Sequence, residues 1–256
     1  MIIRNIYMSV FFRVYNLVMG RHPNNTIFAF NFVNVRHLNR FLRACRKNIN
    51  GSHVVVDIGA GGSPYHSIFS DIASRYIAID APGSLPKYKK RQIEYIAGFA
   101  EDLPLKDLSA DIVLCNQVLE HVKDPSGAVN EILRILKPGG LFIGSAPHVC
   151  PVHLEPYDYR RFTDLGVEQL LADAGFKDIV VEGSGGVHST AALMLAMDWM
   201  LSPIEEGEPQ KFSMQRALFL APLVGIMNAT AIALDFLFGN KHRTPANLCW
   251  VAVKKG

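Results

Sequence analysis

Residues 54–62 of the 256-residue chain read VVVDIGAGG, and this segment is more informative about the fold than any other. A β-branched run of the kind that fills a buried strand ends at Asp57 and is followed by three glycines within four positions. These glycines let the backbone turn sharply and let a ligand approach with no Cβ in the way. Ser63 and Pro64 then predict an N-cap and a first helical residue, so that a helix N-terminus would face the ligand. Together these features predict a nucleotide-type binding corner.

The glycine pattern argues against two common nucleotide sites. The dinucleotide fingerprint GxGxxG needs its third glycine for close helix–strand packing, and Pro64 stands at that position. An NAD-dependent oxidoreductase is therefore disfavoured. A P-loop needs a Gly-Lys-Ser/Thr ending, and none follows here. On its own, the remaining pattern of an acid and Gly-x-Gly fits either a ligand loop or an ordinary tight βα turn.

The segments that follow supply the context. A second strand, RYIAID, ends in Asp80. An acidic side chain at the tip of the neighbouring strand, about 20 residues beyond the glycine loop, is placed to bind ribose hydroxyls. The alternative for Asp80 is a turn residue before Ala81-Pro82-Gly83. Further elements are predicted at the strand QIEYIAG, the strand DIVLCN, the amphipathic helix EILRILKPGG (capped by its proline and glycine pair) and the strand LFIGSAP.

The ordered set of motifs resembles the class I S-adenosylmethionine (SAM) dependent methyltransferases, in the broad family that includes the ubiquinone and menaquinone C-methyltransferases. The motifs are VVVDIGAGG, YIAID, AEDLPL, ADIVLCNQVLEHV and EILRILKPGGLFIGSAP, within about residues 52–183. The resemblance implies SAM as the cofactor. It also implies an α/β fold with a Rossmann-like, doubly wound sheet of seven strands, mostly parallel with an antiparallel last strand. The cofactor-binding residues that it implies are Asp57, Gly59, Ala60, Gly61, Asp80, Ala100, Glu101 and Asn116.

One position departs from the family's pattern. The family usually has Asp before the alanine of the AEDLP segment, where its carboxylate meets the adenine amino group, and Phe99 stands there in this chain. We expect adenine to be held instead by the Ala100 backbone amide and by Glu101 or Asp102, or to stack. The property that this departure affects is the affinity for SAM.

Two histidines are candidates for a general base. The acceptor is expected beyond the carboxyl ends of the strands, where doubly wound sheets bind ligands. A hydroxyl or an acidic carbon would need a base, and histidine titrates near neutral pH. His121, just after the fourth strand, is the first candidate and His148 the second. The alternative for His121 is a packing or capping role.

The loop after the fifth strand is dense in polar side chains, as loops at binding edges often are. The candidate substrate-binding residues in it are His153, Tyr157, Asp158 and Arg161. Structural alternatives are an ion pair between Asp158 and an arginine, and a Thr163 N-cap. No metal site is expected, because His148 and His153 are separated by a proline-broken loop rather than sharing one helix face.

Composition indicates the class of protein and its setting. Charged residues make up 19% and hydrophobic residues 49% of the chain, and a net charge of +3 is too small to predict a nucleic-acid partner. The basic run KYKKR at 87–91 is interpreted as a solvated surface segment. The four cysteines show no paired spacing, which suits reduced thiols and a cytoplasmic protein.

Apolar segments lie at both ends. Residues 1–19 are apolar but interrupted by arginines, which predicts an amphipathic helix packed on the domain or lying in a membrane interface rather than a signal peptide. Residues 187–201 and 217–238 are also apolar, and Asp235 in the second segment would be costly in hydrocarbon. We therefore expect a helical insertion that forms a lid or an interfacial patch.

The predicted organisation is an N-terminal helical segment at 1–50, a SAM-binding core at 51–186, an apolar helical insertion at 187–246 and a final core strand at 247–256. The predicted function is methyl transfer from SAM to a small-molecule or lipid-linked acceptor. The expected location is the cytoplasm, with peripheral contact at the inner face of a membrane. The alternative is a SAM- or nucleoside-binding protein without catalysis, acting as a membrane-associated or interaction scaffold.

Overall fold

The computed structural model describes residues 2–201, 213–239 and 243–256, with residues 2–9 described by their backbone alone. Its elements in chain order are α1 (Ile2–Met19), β1 (Gly20–Arg21), β2 (Asn24–Asn25), α2 (Phe32–Lys47), β3 (His53–Ile58), α3 (His66–Phe69), β4 (Ala73–Asp80), β5 (Glu94–Ala97), β6 (Ala110–Asn116), α4 (Pro125–Ile135), β7 (Leu136–Pro147), α5 (Asp164–Ala174), β8 (Phe176–Ser184), α6 (Val187–Met200), α7 (Met214–Phe238) and β9 (Asn247–Lys254). The chain forms two compact units, and the boundary between them falls within α2. The larger unit contains residues 40–148, 156–183 and 247–256, and the smaller contains residues 1–39, 149–155 and 184–246.

A seven-stranded sheet forms the frame of the larger unit, in the order β5-β4-β3-β6-β7-β9-β8. Parallel pairs join β3 to β4, β3 to β6, β4 to β5 and β6 to β7, whereas β9 pairs antiparallel with β7. The predicted sheet, mostly parallel with an antiparallel last strand, is confirmed. From β3 the chain proceeds to β4 and β5 on one side and later to β6 and β7 on the other. This reversal is the topological switch point at which doubly wound sheets bind ligands.

The central strands are apolar because both of their faces are covered, as in other parallel sheets. Val55, Val56 and Val113 have no exposed surface. Gly144 lies opposite Trp250 in the pairing of β7 with β9, and a Cβ on this glycine would come within 2.4 Å of the indole ring. The core thus explains a bare glycine in the middle of a strand, a position that usually disfavours it.

The predicted helix start after the glycine loop is wrong. Ser63 is not an N-cap: it adopts a left-handed backbone with φ of 50° and is fully buried. Its N–H donates to the Ala60 carbonyl oxygen at 2.7 Å, so Ser63 is used inside the turn. The helix begins only at His66, lasts four residues and has no side-chain cap. The segment after the glycines is consequently a turn, and no long helix begins there.

The predicted cap of the next helix is also placed differently. α4 ends at Ile135, and Leu136 is already extended and paired with Ala110 of β6. The segment LKPGG therefore starts β7 instead of capping the helix. The Thr163 N-cap of α5 is confirmed, because its Oγ1 accepts a hydrogen bond from the Gly166 N–H at 3.0 Å.

The smaller unit contains α1, α6 and α7, so that helices are present where the apolar ends predicted them. Its core consists mainly of small residues and methionines: Met19, Ala29, Ala196, Met200, Ala217, Ala221 and Val224. Within the described residues, α7 is the one helix whose length and composition would suffice to cross a membrane, a property that buried helices of soluble proteins can share.

Candidate functional site

Two glycines of the loop after β3 have different tasks. Gly59 (φ 64°) packs closely against the loop that follows β6. A Cβ at this position would lie 2.2 Å from Cγ2 of Val118, so only glycine fits. Gly61 (φ 49°) faces open space, with nothing within 4 Å of a Cβ built on it. Ala60 between them is buried and donates its N–H to the Ile79 carbonyl oxygen at 3.2 Å. The loop is thus fixed on one side and open to a ligand on the other.

Asp80 at the end of β4 is joined to this loop directly. Its Oδ2 accepts a hydrogen bond from the Gly61 N–H at 2.7 Å, and its Oδ1 accepts one from the Ala81 N–H at 2.8 Å. Each carboxylate oxygen can accept a further hydrogen bond, so the side chain can also bind hydroxyl groups. The turn role and the ribose-binding role predicted as alternatives are compatible in this geometry.

Asp57 lies beneath the loop rather than in the opening. Its side chain is nearly inaccessible, with 2% of the residue exposed, and the Tyr76 hydroxyl donates to its Oδ2 at 2.8 Å. Burial raises the pKa of Asp57 to about 7, and the Tyr76 hydrogen bond acts in the opposite direction. Its place at the end of β3 supports the loop from below.

On the other side of Asp80, Phe99 presents an exposed aromatic ring. The Gly98 N–H donates to the Asp80 carbonyl oxygen at 3.0 Å, which places this segment beside the tip of β4. Phe99 is 58% exposed, whereas Ala100 is buried. Glu101 is engaged through Oε1, which accepts from the Lys123 N–H at 3.2 Å. Two of the alternatives predicted for adenine therefore have an accessible side chain: the exposed Phe99 ring could stack on the base, and the exposed Asp102 carboxylate could accept from its amino group.

Asn116 ends β6 with an unused donor. Its Oδ1 accepts from the Ser145 hydroxyl at 3.1 Å, but its buried Nδ2 has no hydrogen-bond partner among the described residues. The next residue, Gln117, has a left-handed backbone (φ 57°), and such strain is concentrated at functional sites. A buried amide without a partner costs free energy, so it indicates a place where a ligand can accept a hydrogen bond.

The loops after β6 and β7 are tied together within the larger unit. His121 Nδ1 donates to the Tyr157 carbonyl oxygen at 2.8 Å, since a carbonyl can only accept. The Tyr159 N–H donates to the Glu120 carbonyl oxygen at 2.9 Å, and Arg160 donates to the carbonyl oxygens of residues 122 and 123 at 2.5 and 2.9 Å. With Nδ1 as the donor, the basic lone pair of neutral His121 is on Nε2.

The other predicted acceptor residues fall into three situations. His148 Nδ1 donates to the Phe162 carbonyl oxygen at 2.6 Å, which gives it the same tautomer as His121. Asp158 forms a bidentate ion pair with Arg161 at 2.6 and 2.7 Å, which confirms the structural alternative for both. His153 belongs to the smaller unit, where its Nδ1 lies 3.1 Å from the Pro151 carbonyl oxygen.

Glu120 is a candidate functional residue that the sequence pattern did not indicate. Its side chain is completely buried, and neither carboxyl oxygen has a hydrogen-bond partner among the described residues. Burial raises the pKa of Glu120 to about 8. Its Oε1 lies 3.7 Å from His121 Nε2. A glutamate beside a candidate base was visible in the segment LEHV, but its burial could be known only from the fold.

Comparison with known proteins agrees with this geometry. Residues 56–144 match the family model described as a methyltransferase domain. A probable SAM-dependent methyltransferase of Mycolicibacterium smegmatis is 31% identical over 148 residues, which are 54% of this chain and 56% of the relative. One from Mycobacterium tuberculosis is 28% identical over 138 residues, half of each chain. The chain thus spans about half the length of the curated relatives that it matches.

Solved structures show the fold over a larger share of the chain. A SAM-dependent methyltransferase from Thermotoga maritima has a TM-score of 0.53 and 22% identity, covering 88% of this chain and 93% of its own. One from Archaeoglobus fulgidus has a TM-score of 0.54 and 16% identity, covering 88% and 95%.

The fold and the loop geometry agree with the matched domain. Residues 56–144 form a SAM-dependent methyltransferase domain, as their motifs predicted, and the cofactor of such domains is S-adenosyl-L-methionine. The residues present fit this cofactor, because the open loop, the acceptor oxygens of Asp80 and the unused donor of Asn116 lie on neighbouring strands β3, β4 and β6. That each named residue contacts SAM stays a prediction.

Proposed function

We propose that this chain is an enzyme that transfers a methyl group from SAM to a small-molecule or lipid-linked acceptor. The observation that carries the proposal is the hydrogen bond from the Gly61 N–H to Asp80 Oδ2, beside open space above the glycine loop. This arrangement joins a ribose-binding carboxylate to a loop that a ligand can approach. The match of residues 56–144 to a methyltransferase domain supports it.

The chain's contribution to the reaction is mainly one of position. SAM supplies an electrophilic methyl group on a sulfonium, which moves to the acceptor by in-line displacement. Asp80 would hold the ribose and the Phe99 ring would cover the adenine, while Asn116 Nδ2 would donate to the bound cofactor. Holding both reactants in line supplies most of the rate enhancement in reactions of this kind.

His121 would take the proton of an acceptor that has to lose one. The Tyr157 carbonyl oxygen fixes the ring through Nδ1, so that the proton would arrive on Nε2. Glu120 Oε1 lies 3.7 Å from this atom, and a charged imidazole would favour the ionised form of the carboxyl group. General bases of this kind contribute about 10²- to 10⁴-fold to the rate.

Cell fractions test the proposal. We expect SAM with a labelled methyl group to label one component of either the aqueous or the lipid extract, with S-adenosylhomocysteine formed in equal amount. The fraction that becomes labelled would decide between a small-molecule and a lipid-linked acceptor. His121→Ala should lower kcat without changing the Kd for SAM.

A scaffold without catalysis would give a different result: SAM would bind, but no extract would be labelled.

We place the protein in the cytoplasm, and its four free thiols, two of them buried in strands, support a reducing compartment.

A further inference from the structure

In α7 the small residues face the interior and the large apolar residues face outward, which is the opposite of an ordinary surface helix. The fully buried positions of α7 inside the smaller unit are mostly small residues (Ala217, Ala221, Gly225 and Ala231), together with Val224 and Asn228. The outer side carries large apolar residues, namely Phe219, Leu223, Ile226, Phe236, Leu237 and Phe238, and Phe219 is 84% exposed. At 1.5 Å per residue, the stripe from Phe219 to Leu237 is about 27 Å long. Small or polar residues at helix contacts and large apolar residues outward are typical of helices that face lipid.

The polar residues of α7 are bound on the inner side. Asn228 Nδ2 donates to the carbonyl oxygens of Ile27 and Ala29 at 2.7 and 3.0 Å. The Asp235 carboxylate accepts from the N–H groups of Gly186 and Ser189 at 2.8 and 3.0 Å, at the start of α6. The negative charge of Asp235, which would be costly in hydrocarbon, is therefore compensated by a helix N-terminus within the same unit.

α1 adds a second apolar face and positive charge. Val10, Val14 and Leu17 are exposed at helical spacing, Leu17 by 81%, and Arg13 lies exposed among them. Residues 1–39 contain four arginines and no Asp or Glu. A basic, apolar helix attracts anionic lipid headgroups while its apolar side chains enter the acyl boundary.

The connectivity indicates how such a face would meet a bilayer. The two ends of the α6–α7 insertion lie next to each other, because the Ala246 N–H donates to the Ser184 carbonyl oxygen at 3.0 Å. α6 has 14 residues and would be about 21 Å long, too short for a hydrocarbon core of about 30 Å. The connecting residues 202–213 carry Glu205, Glu206, Glu208 and Lys211. A single crossing by α7 has no return path.

We propose that the outer faces of α1 and α7 form a lipid-binding face, which docks this protein in the plane of the interface on a bilayer with anionic headgroups. The positive charge of residues 1–39 favours anionic headgroups, and the exposed apolar side chains of α7 enter the acyl region of the bilayer. This docking is independent of methyl transfer and is measured without it.

Flotation of the full chain with vesicles tests the docking. We expect binding to vesicles of phosphatidylcholine mixed with phosphatidylglycerol at low salt, and weaker binding to phosphatidylcholine alone. Phe219→Ser and Ile226→Ser should each lower the partition coefficient about tenfold. Leu165→Ser, an equally exposed apolar site on α5 of the larger unit, should leave it unchanged. Arg13→Glu should weaken binding to the anionic vesicles about fivefold, and Lys177→Glu on β8 is its control.

A photoactivatable phospholipid gives a readout that needs no variant, and its crosslinks should fall within 10–19 and 214–238. Absence of flotation with both compositions would overturn the proposal, as would crosslinks confined to other segments. Full binding by a folded Phe219→Ser protein would also contradict it. A dimer in solution that Phe219→Ser dissociates, without vesicle binding by the parent, would show that a second copy covers this face instead.

Discussion

At the residue scale, we expect the cofactor site to depend most on Asp80. Its Oδ2 accepts the Gly61 N–H, so the carboxylate holds the glycine loop in place whether or not a ligand is bound. Because its two oxygens each accept one backbone N–H, the ligand would meet a loop already held in place. Such preorganisation lowers the entropic cost of binding.

Asp80→Ala should weaken SAM binding by about ten- to a hundredfold, because it removes a charge-assisted contact and releases the Gly61 N–H. Asp80→Asn keeps one acceptor oxygen and should lose less. Isothermal titration on proteins with matching circular dichroism would measure both. Equal affinity of Asp80→Ala and the parent would show that the carboxylate serves the turn alone.

Glu120 should make the stability depend on pH between about 4.5 and 8. The unfolded chain releases this proton near 4.5, whereas burial keeps it bound in the folded protein up to about 8. The free energy of unfolding should therefore fall as the pH rises through this window, by about 1.4 kcal/mol per pH unit for this group. Asp57, with a pKa raised to about 7, acts in the same sense.

Glu120→Gln isolates this effect, because the amide has nearly the same shape and no proton to lose. Urea unfolding at several pH values should give a shallower decline for the variant. His22 and His66, whose pKa values burial lowers, act in the opposite sense in both proteins and cancel in the comparison. Parallel curves for the two proteins would mean that Glu120 is ionised in the folded state.

At the scale of elements, the two glycines of the loop after β3 differ in role: Gly59 is needed for packing, and we expect Gly61 to be needed for SAM binding. Gly61→Val should abolish SAM binding with a moderate loss of stability, because its side chain would fill open space and its left-handed backbone costs about 1–2 kcal/mol. Gly59→Ala should chiefly lower the melting temperature, because its Cβ would collide with Val118. A folded Gly61→Val protein with parental affinity would assign both glycines to the turn.

The start of α6 depends on a side chain from α7. Asp235→Ala should lower the free energy of unfolding by about 1–2 kcal/mol, the usual effect of losing an N-cap, because Gly186 and Ser189 would lose their acceptor. Asp235→Asn, which keeps an oxygen acceptor, should lose less. Hydrogen exchange at residues 186–189 should accelerate in the alanine variant, and unchanged exchange would contradict this role.

The sequence predicted best those elements whose pattern is set locally. The apolar runs of β3, β4 and β6 were predicted correctly, because buried strands need such residues. The antiparallel direction of the last strand followed from the resemblance to the methyltransferase family and not from a local pattern. The Ser63 N-cap was wrong because Ser63 has a left-handed backbone (φ 50°) inside a turn, whereas an N-cap needs an extended one, and residue spacing does not show this. Burial of Glu120 and the inward bonding of Asp235 depend on distant segments, so no local pattern could reveal them.

At the scale of the whole molecule, the proposed methyl transfer and the proposed membrane docking involve different parts of the chain. The sheet unit contains the glycine loop, Asp80 and His121, while the helical unit carries the exposed apolar faces. This division makes the two proposals separable: loss of vesicle binding would leave the cofactor site intact. A lipid-linked acceptor would give both units a part in one reaction.

Calorimetric titration of the full chain with SAM, S-adenosylhomocysteine and NADH would show whether its glycine loop is a SAM site. We expect one site that binds both sulfur compounds and no heat of binding for NADH, because Pro64 stands where dinucleotide sites require a glycine. Binding of NADH, or absence of binding by both SAM and S-adenosylhomocysteine to the folded protein, would contradict it.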